Sequence, residues 1–177
     1  PISRFTEASL VKELEALGIG RPSTYAAIMQ NIQNKGYVNK AKGAMIPTFT
    51  GYAIVQFLEK YYEDLVNLEY TSNMENNLDQ ISLGDMSKED YLNNFYFSKN
   101  GSVGLKEKLE QEHDKDISRL IMTLRNDTDN VDIKIGRYGI YAQIGDDRVT
   151  IDDKIIPSEL KIDDVKKMLV DKNAEPE

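Results

Sequence analysis

The apolar residues change their period near Asn130, and that change limits what the chain can fold into. Before it they recur at helical spacing: Leu10, Leu14 and Leu17, then Ile28 and Ile32, then Ile54, Val55, Leu58, Tyr61 and Tyr62. After it Val131, Ile133 and Ile135 alternate, which is the period of a strand with one buried face. The pattern predicts an α+β protein: a mostly helical, winged-helix-containing domain, then a small β-hairpin or sheet with a closing helix. The expected division is 1–97 for the helical domain, 98–130 for a linker and amphipathic helix, 131–171 for the small α+β unit, and 172–177 for a disordered tail. A unit of roughly 40 residues buries too little to be robust alone, so it is expected to lean on the helix before it.

Local signals fill in this outline. Thr6 is a candidate N-cap for a helix over about Glu7–Leu17, which Gly18 ends. Pro22 and Ser23 are expected to open a second helix to about Asn34, making a helix-turn-helix. Gly36 stops it. Tyr37-Val38, a basic turn at Asn39–Gly43 and Ala44–Ile46 then read as a wing carrying Lys40 and Lys42. Thr50 reads as the cap of a helix over Gly51–Leu65, with further helices at about Thr71–Ile81 and Lys88–Phe97. Ser98–Gly104 is the best linker candidate, and Leu105–Leu124 reads as one charged amphipathic helix. In the last part, Gly136–Gly139 and Gly145–Asp147 turn the strands, and Ile162–Val170 closes as a helix.

Composition removes several function classes. No cysteine is present among the 177 residues, which excludes disulfides and thiolate metal sites and fits a reducing compartment, here expected to be the cytoplasm. No apolar run approaches the roughly 18 residues of a membrane span, and no signal peptide is visible. The first residue is Pro1 and a motif follows closely, so a piece of a longer protein is expected. The net charge of −8 argues against general affinity for nucleic acid. Yet residues 1–48 hold six Lys or Arg (Arg4, Lys12, Arg21, Lys35, Lys40, Lys42) against three Glu (Glu7, Glu13, Glu15), and residues 49–97 are strongly acidic. An anionic partner is therefore expected at the N-terminal quarter.

The run Gly18-Ile19-Gly20-Arg21-Pro22-Ser23-Thr24-Tyr25 places an arginine and two hydroxyls beside a helix start, where backbone N–H groups and the helix dipole favour an anion. A well-capped helix start with Tyr25 in the core is the plainer reading. Arg137, Tyr138 and Tyr141 around Gly139 could stack unpaired bases while the arginine meets phosphate; one core and one solvent-facing ring is the alternative. His113, the single histidine, lies in a charged run and reads as a solvated helix face. Asp114–Asp116 and Asp127–Asp129 read as surface acids. No Ser–His–Asp pattern and no phosphate-binding loop with lysine is present, so no self-sufficient catalytic constellation is expected.

Longer motifs add to this. Phe5-Thr6-Glu7-Ala8-Ser9-Leu10-Val11-Lys12, the run Gly18–Tyr25, Lys35-Gly36-Tyr37-Val38, Pro47-Thr48 with Gly51, and Tyr70-Thr71-Ser72 with Met74-Glu75, Leu78-Asp79, Ile81 and Gly84 together resemble the bacterial type IA DNA topoisomerases. Ile135–Tyr141 is similar to a C-terminal repeat of many of these enzymes. The resemblance implies an ATP-independent isomerase that relaxes negatively supercoiled DNA through a tyrosine–phosphate link, with Mg²⁺ held by an acidic cluster in a separate N-terminal domain. That family's nucleophilic tyrosine has arginine two residues on. No tyrosine here does, so catalytic residues and metal ligands are expected upstream, none in this chain. What it implies here is single-stranded DNA held by Arg21, Ser23, Thr24 and Lys35, and by Arg137, Tyr138 and Tyr141. Lys35 stands where the family commonly has arginine and lacks its bidentate geometry. The acidic middle would face protein or solvent. A monomer without membrane contact, partnered by the N-terminal catalytic domains, is expected. The alternatives are a free-standing winged-helix regulator reading duplex DNA through Gln30, Asn31 and Gln33, and a protein-interaction module.

Overall fold

The structure, a computed structural model, describes residues 3–98 and 103–174. Helix α1 (Glu7–Ala16) starts at a reciprocal cap: the Thr6 hydroxyl accepts the Ser9 N–H, and the Ser9 hydroxyl accepts the Thr6 N–H. Helix α2 (Tyr25–Asn34) starts later than the pattern predicts. Pro22–Thr24 form a turn, and the N–H groups of Thr24 and Tyr25 both donate to the Arg21 carbonyl. Strands β1 (Val38–Ala41) and β2 (Ala44–Pro47) pair antiparallel across Lys42-Gly43, both at positive φ, +50° and +79°. That conformation closes a two-residue hairpin, shortening the expected turn at Asn39–Gly43.

Helix α3 (Phe49–Val66) is capped by Thr48 rather than Thr50. Thr48 wins because its hydroxyl accepts from Gly51 N–H while donating to the Gly36 carbonyl, so the cap also ties the helix to the base of the hairpin. Gly51 fits there because a Cβ would lie 2.3 Å from the Tyr37 carbonyl oxygen. Helices α4 (Leu68–Leu83) and α5 (Lys88–Phe97) follow, capped by Asn67 and Ser87, and α4 ends at Gly84 in the left-handed conformation. Neither buries a residue fully.

The amphipathic helix expected over Leu105–Leu124 does not form. Helix α6 (Leu105–Glu110) is short, α7 (Lys115–Arg119) is shorter, and Leu120–Arg125 is strand β3. Leu120, Ile121 and Leu124 fit a helical face as well as a strand. Pairing decides between them, because Leu124 lies opposite Val131, and Ile121 enters the core at 1 % exposure. The expected linker at Ser98–Gly104 lies partly outside the described residues, as does the end of the expected tail; α8 itself reaches Ala174. His113 is not on a solvated helix face either. It sits half-buried between α6 and α7, with its ring 4.4 Å from that of Tyr61 and 5.3 Å from that of Phe57 on α3.

Strands β4 (Asn130–Gly136), β5 (Gly139–Ile144) and β6 (Asp147–Thr150) extend β3 into a four-stranded antiparallel meander in chain order. A 3-10 turn (Pro157–Glu159) leads to helix α8 (Ile162–Ala174), which covers one face of the sheet with Ile162 and Val165. Val131, Ile133, Ile140, Ala142 and Val149 meet it. The same core takes in Phe49 at 1 % exposure, with Tyr52 and Ala53 of α3 packed beside it. The helical half and the sheet therefore share one core. Arg4 adds a surface tie, donating to Ser158 at 3.1 Å and Glu159 at 2.9 Å.

Candidate nucleic-acid interface

Two groups of side chains emerge, and their electrostatic settings differ. The first is the turn between α1 and α2. Gly18 and Gly20 adopt φ of +69° and +77°, and this brings the turn flat against α4. Ser72, Glu75 and Asp79, spaced three and four residues apart, form one face of that helix. Gly18 lies against Ser72, where a Cβ would come within 2.7 Å of its hydroxyl. The Gly20 N–H donates to Glu75 at 3.2 Å. Arg21 donates through Nη2 to Asp79 Oδ2 at 2.7 Å and through Nη1 to the Gly20 carbonyl at 2.7 Å, with Glu75 4.0 Å away. The hydrogen bond that Arg21 donates to Asp79 raises the guanidinium pKa above its ordinary value.

The other residues of this turn divide. The Thr24 hydroxyl accepts the Arg21 N–H at 2.9 Å and donates to the Arg21 carbonyl, so it shapes the turn from within. Ser23 is exposed. Lys35, exposed just beyond α2, lies 5.9 Å from the Tyr37 ring centroid and does not join the turn's contacts with α4. Two acids of the middle segment, Glu75 and Asp79, thus face the turn. Of the helix α2 side chains expected to read a duplex, Gln33 donates to Glu7 and the Met29 carbonyl, and Gln30 donates to Asn34.

The second group lies around the β4–β5 hairpin and strand β6. Ile140 and Ala142 point into the core, so Tyr141 between them points out. The Arg137-Tyr138 hairpin tip places Tyr138 at 91 % exposure, with the Arg137 guanidinium 5.7 Å from its ring. Tyr141 lies over Gly136, where a Cβ would approach its ring to 3.1 Å, and beneath the Arg148 guanidinium at 5.5 Å. The three residues expected from the sequence line an open pocket of about 440 Å³. Arg119, Arg148 and Lys172 line it too, and none of its described lining residues is acidic. Lys172 Nζ donates to the Arg148 carbonyl at 2.9 Å, fixing the end of α8 to β6. Cations over and beside two aromatic rings suit a strand whose phosphates and bases are both accessible.

Sequence reading missed Arg148. The signal was there: Gly145-Asp146 is a two-residue loop, so Arg148 pairs with Gln143 and falls diagonal to Tyr141. Among the described residues no group of three or more His, Cys, Asp or Glu is arranged to hold a metal ion. No helix among the described residues is long and apolar enough to cross a membrane.

Two family models match the chain, each over a different part. A family model described as DNA topoisomerase matches residues 1–93, and one described as topoisomerase C-terminal repeat matches residues 125–177. DNA topoisomerase 1 of Synechocystis sp. (strain ATCC 27184 / PCC 6803 / Kazusa) is 36 % identical over 181 residues, covering 100 % of this chain and 20 % of that protein. DNA topoisomerase 1 of Mycolicibacterium smegmatis is 38 % identical over 155 residues, covering 81 % of this chain and 17 % of that protein. Full-length topoisomerase I from Thermotoga maritima superposes with a TM-score of 0.67 at 30 % identity, covering 88 % of this chain and 26 % of that one. The chain thus spans about a fifth of the length of the curated relatives it matches.

Proposed function

The chain belongs to the DNA topoisomerase family, and on that premise we propose that it is a strand-guiding part of a type IA enzyme that relaxes negatively supercoiled DNA. It binds single-stranded DNA and leads it towards a tyrosine nucleophile and a Mg²⁺ site carried elsewhere in the whole protein. The first two helices and the β1–β2 hairpin act as a winged helix, gripping the backbone through Arg21, Ser23, Thr24 and Lys35. The whole protein works as a cytoplasmic monomer in this reading.

The observation that carries the proposal is the pocket at the β4–β5 hairpin and β6, where an exposed Tyr138 and the cations Arg137 and Arg148 stand together with no acid among its described lining residues. Tyr138 supplies a stacking surface indifferent to base identity. Arg137 supplies a planar fork for phosphate oxygens, which positions a strand without reading its sequence. A duplex hides base faces from such a platform, so single strands are favoured. Fluorescence anisotropy with single-stranded and duplex oligonucleotides of equal length, at several salt concentrations, tests this. Tighter single-strand binding that weakens as salt rises is expected. Tighter duplex binding with sequence preference would favour a regulator instead, and no binding at low salt would favour a protein-interaction module.

A further inference from the structure

Arg21 is already holding an anion. Its two terminal nitrogens are engaged, Nη2 by Asp79 Oδ2 at 2.7 Å and Nη1 by the Gly20 carbonyl at 2.7 Å. Glu75 accepts the Gly20 N–H and stands 4.0 Å from Nη1. Carboxylate and phosphate oxygens both suit a guanidinium, so a strand phosphate competes with Asp79 for Nη2. The backbone around it is closed as well, since the Thr24 and Tyr25 N–H groups both donate to the Arg21 carbonyl. The Asp79 side chain is 57 % exposed, which keeps the pair weakly bound and within reach of an incoming polyanion.

We propose that Asp79, backed by Glu75, is an internal stand-in for a DNA phosphate that occupies Arg21 until a strand displaces it. The proposal rests on the reading of Arg21 as a strand contact. A single phosphate gains little by replacing a carboxylate of equal geometry. A strand brings several linked phosphates at high local concentration, and these shift the exchange. The turn therefore discriminates by length, admitting a strand and rejecting mononucleotides and inorganic phosphate. Displacement also removes one of the contacts that hold the turn against α4, so strand binding loosens that helix from the turn.

The test measures affinity of the 177-residue chain for a single-stranded oligonucleotide by anisotropy. Asp79→Asn, which keeps the shape and removes the charge, is expected to tighten binding roughly two- to fivefold at low salt, the worth of an exposed ion pair, and less at high salt. Asp85→Asn removes an equal charge from an exposed residue just beyond α4, and is expected to change affinity much less. In an Arg21→Ala background, Asp79→Asn is expected to have no effect. Equal tightening by both acid variants, or weaker binding by Asp79→Asn, would overturn the stand-in. An Arg21→Ala variant that binds as well as the parent would instead remove the strand-contact reading itself. Asp79→Ser serves as a second variant with the same expectation, and thermal melts of each verify that it is folded.

Discussion

Arg21 and Arg148 carry one charge each in opposite settings. The first is met by Glu75 and Asp79 from α4; the second lies over the Tyr141 ring in a pocket with no acid among its described lining residues. Net charge along the chain points to the N-terminal quarter as the anion site, yet the field at a site depends on which side chains the fold brings close. Within the pocket the two tyrosines also differ. Tyr141 has one face against Gly136 and an arginine over its ring, whereas Tyr138 stands out at 91 % exposure. Tyr138→Ala is therefore expected to weaken single-strand binding by about 1–3 kcal/mol, the value of one stacked base, with unchanged melting temperature. Tyr141→Ala should lower both affinity and melting temperature, because its ring packs against the sheet. Anisotropy and thermal melts of the two variants check this, and equal effects on both readouts would show that the rings share one role.

Among the elements, ion pairs tie pieces that are distant in sequence. Lys166 on α8 bonds Asp129 in the β3–β4 loop at 2.8 Å, and Lys40 on β1 bonds Glu7 on α1 at 2.7 Å. The lysine hydrogen bonds hold both carboxylates below their ordinary pKa. A carboxylate so depressed adds stability above its unfolded pKa, and that stability is lost as pH falls through the lower folded value. Melting temperature is therefore expected to fall as pH drops below about 4, the ordinary carboxylate range. Asp129→Asn should show a shallower fall than the parent in thermal melts from pH 6 to pH 3.

These ties mark the limit of what the sequence made legible. The caps at Thr6 and the ends of α5 could be read because their signals are local. Thr48 and Thr50 are both plausible caps, and only the Gly36 carbonyl, 12 residues from Thr48, separates them. Leu120–Leu124 satisfies two periods at once, so its strand became visible only with its partner Val131. At the candidate site, Arg137, Tyr138 and Tyr141 were readable from their spacing around Gly139. Asp79 was not, since it reaches Arg21 across 58 residues of sequence.

At the scale of the molecule, the hydrophobic cluster of the sheet and α8 extends across the boundary between the two matched regions. Phe49 begins α3, yet it is as deeply buried as Ile121 and lies in the cluster with Val131 and Val165. Phe49→Ala should cost about 3–5 kcal/mol and lower the stability of both halves together, read as one shifted transition by circular dichroism and by tyrosine fluorescence. Two separate transitions, with the sheet unaffected, would show that the halves fold independently.

The match to a C-terminal repeat begins at residue 125, but β3 starts at Leu120 and Phe49 lies further back still. The repeat as a sequence unit and the repeat as a folding unit therefore have different borders. Cut at its sequence border, it would lose an edge strand and an aromatic plug, and expose Val131 and Ile133. Grafting it elsewhere would require the host to provide a strand and a large buried ring in the same places.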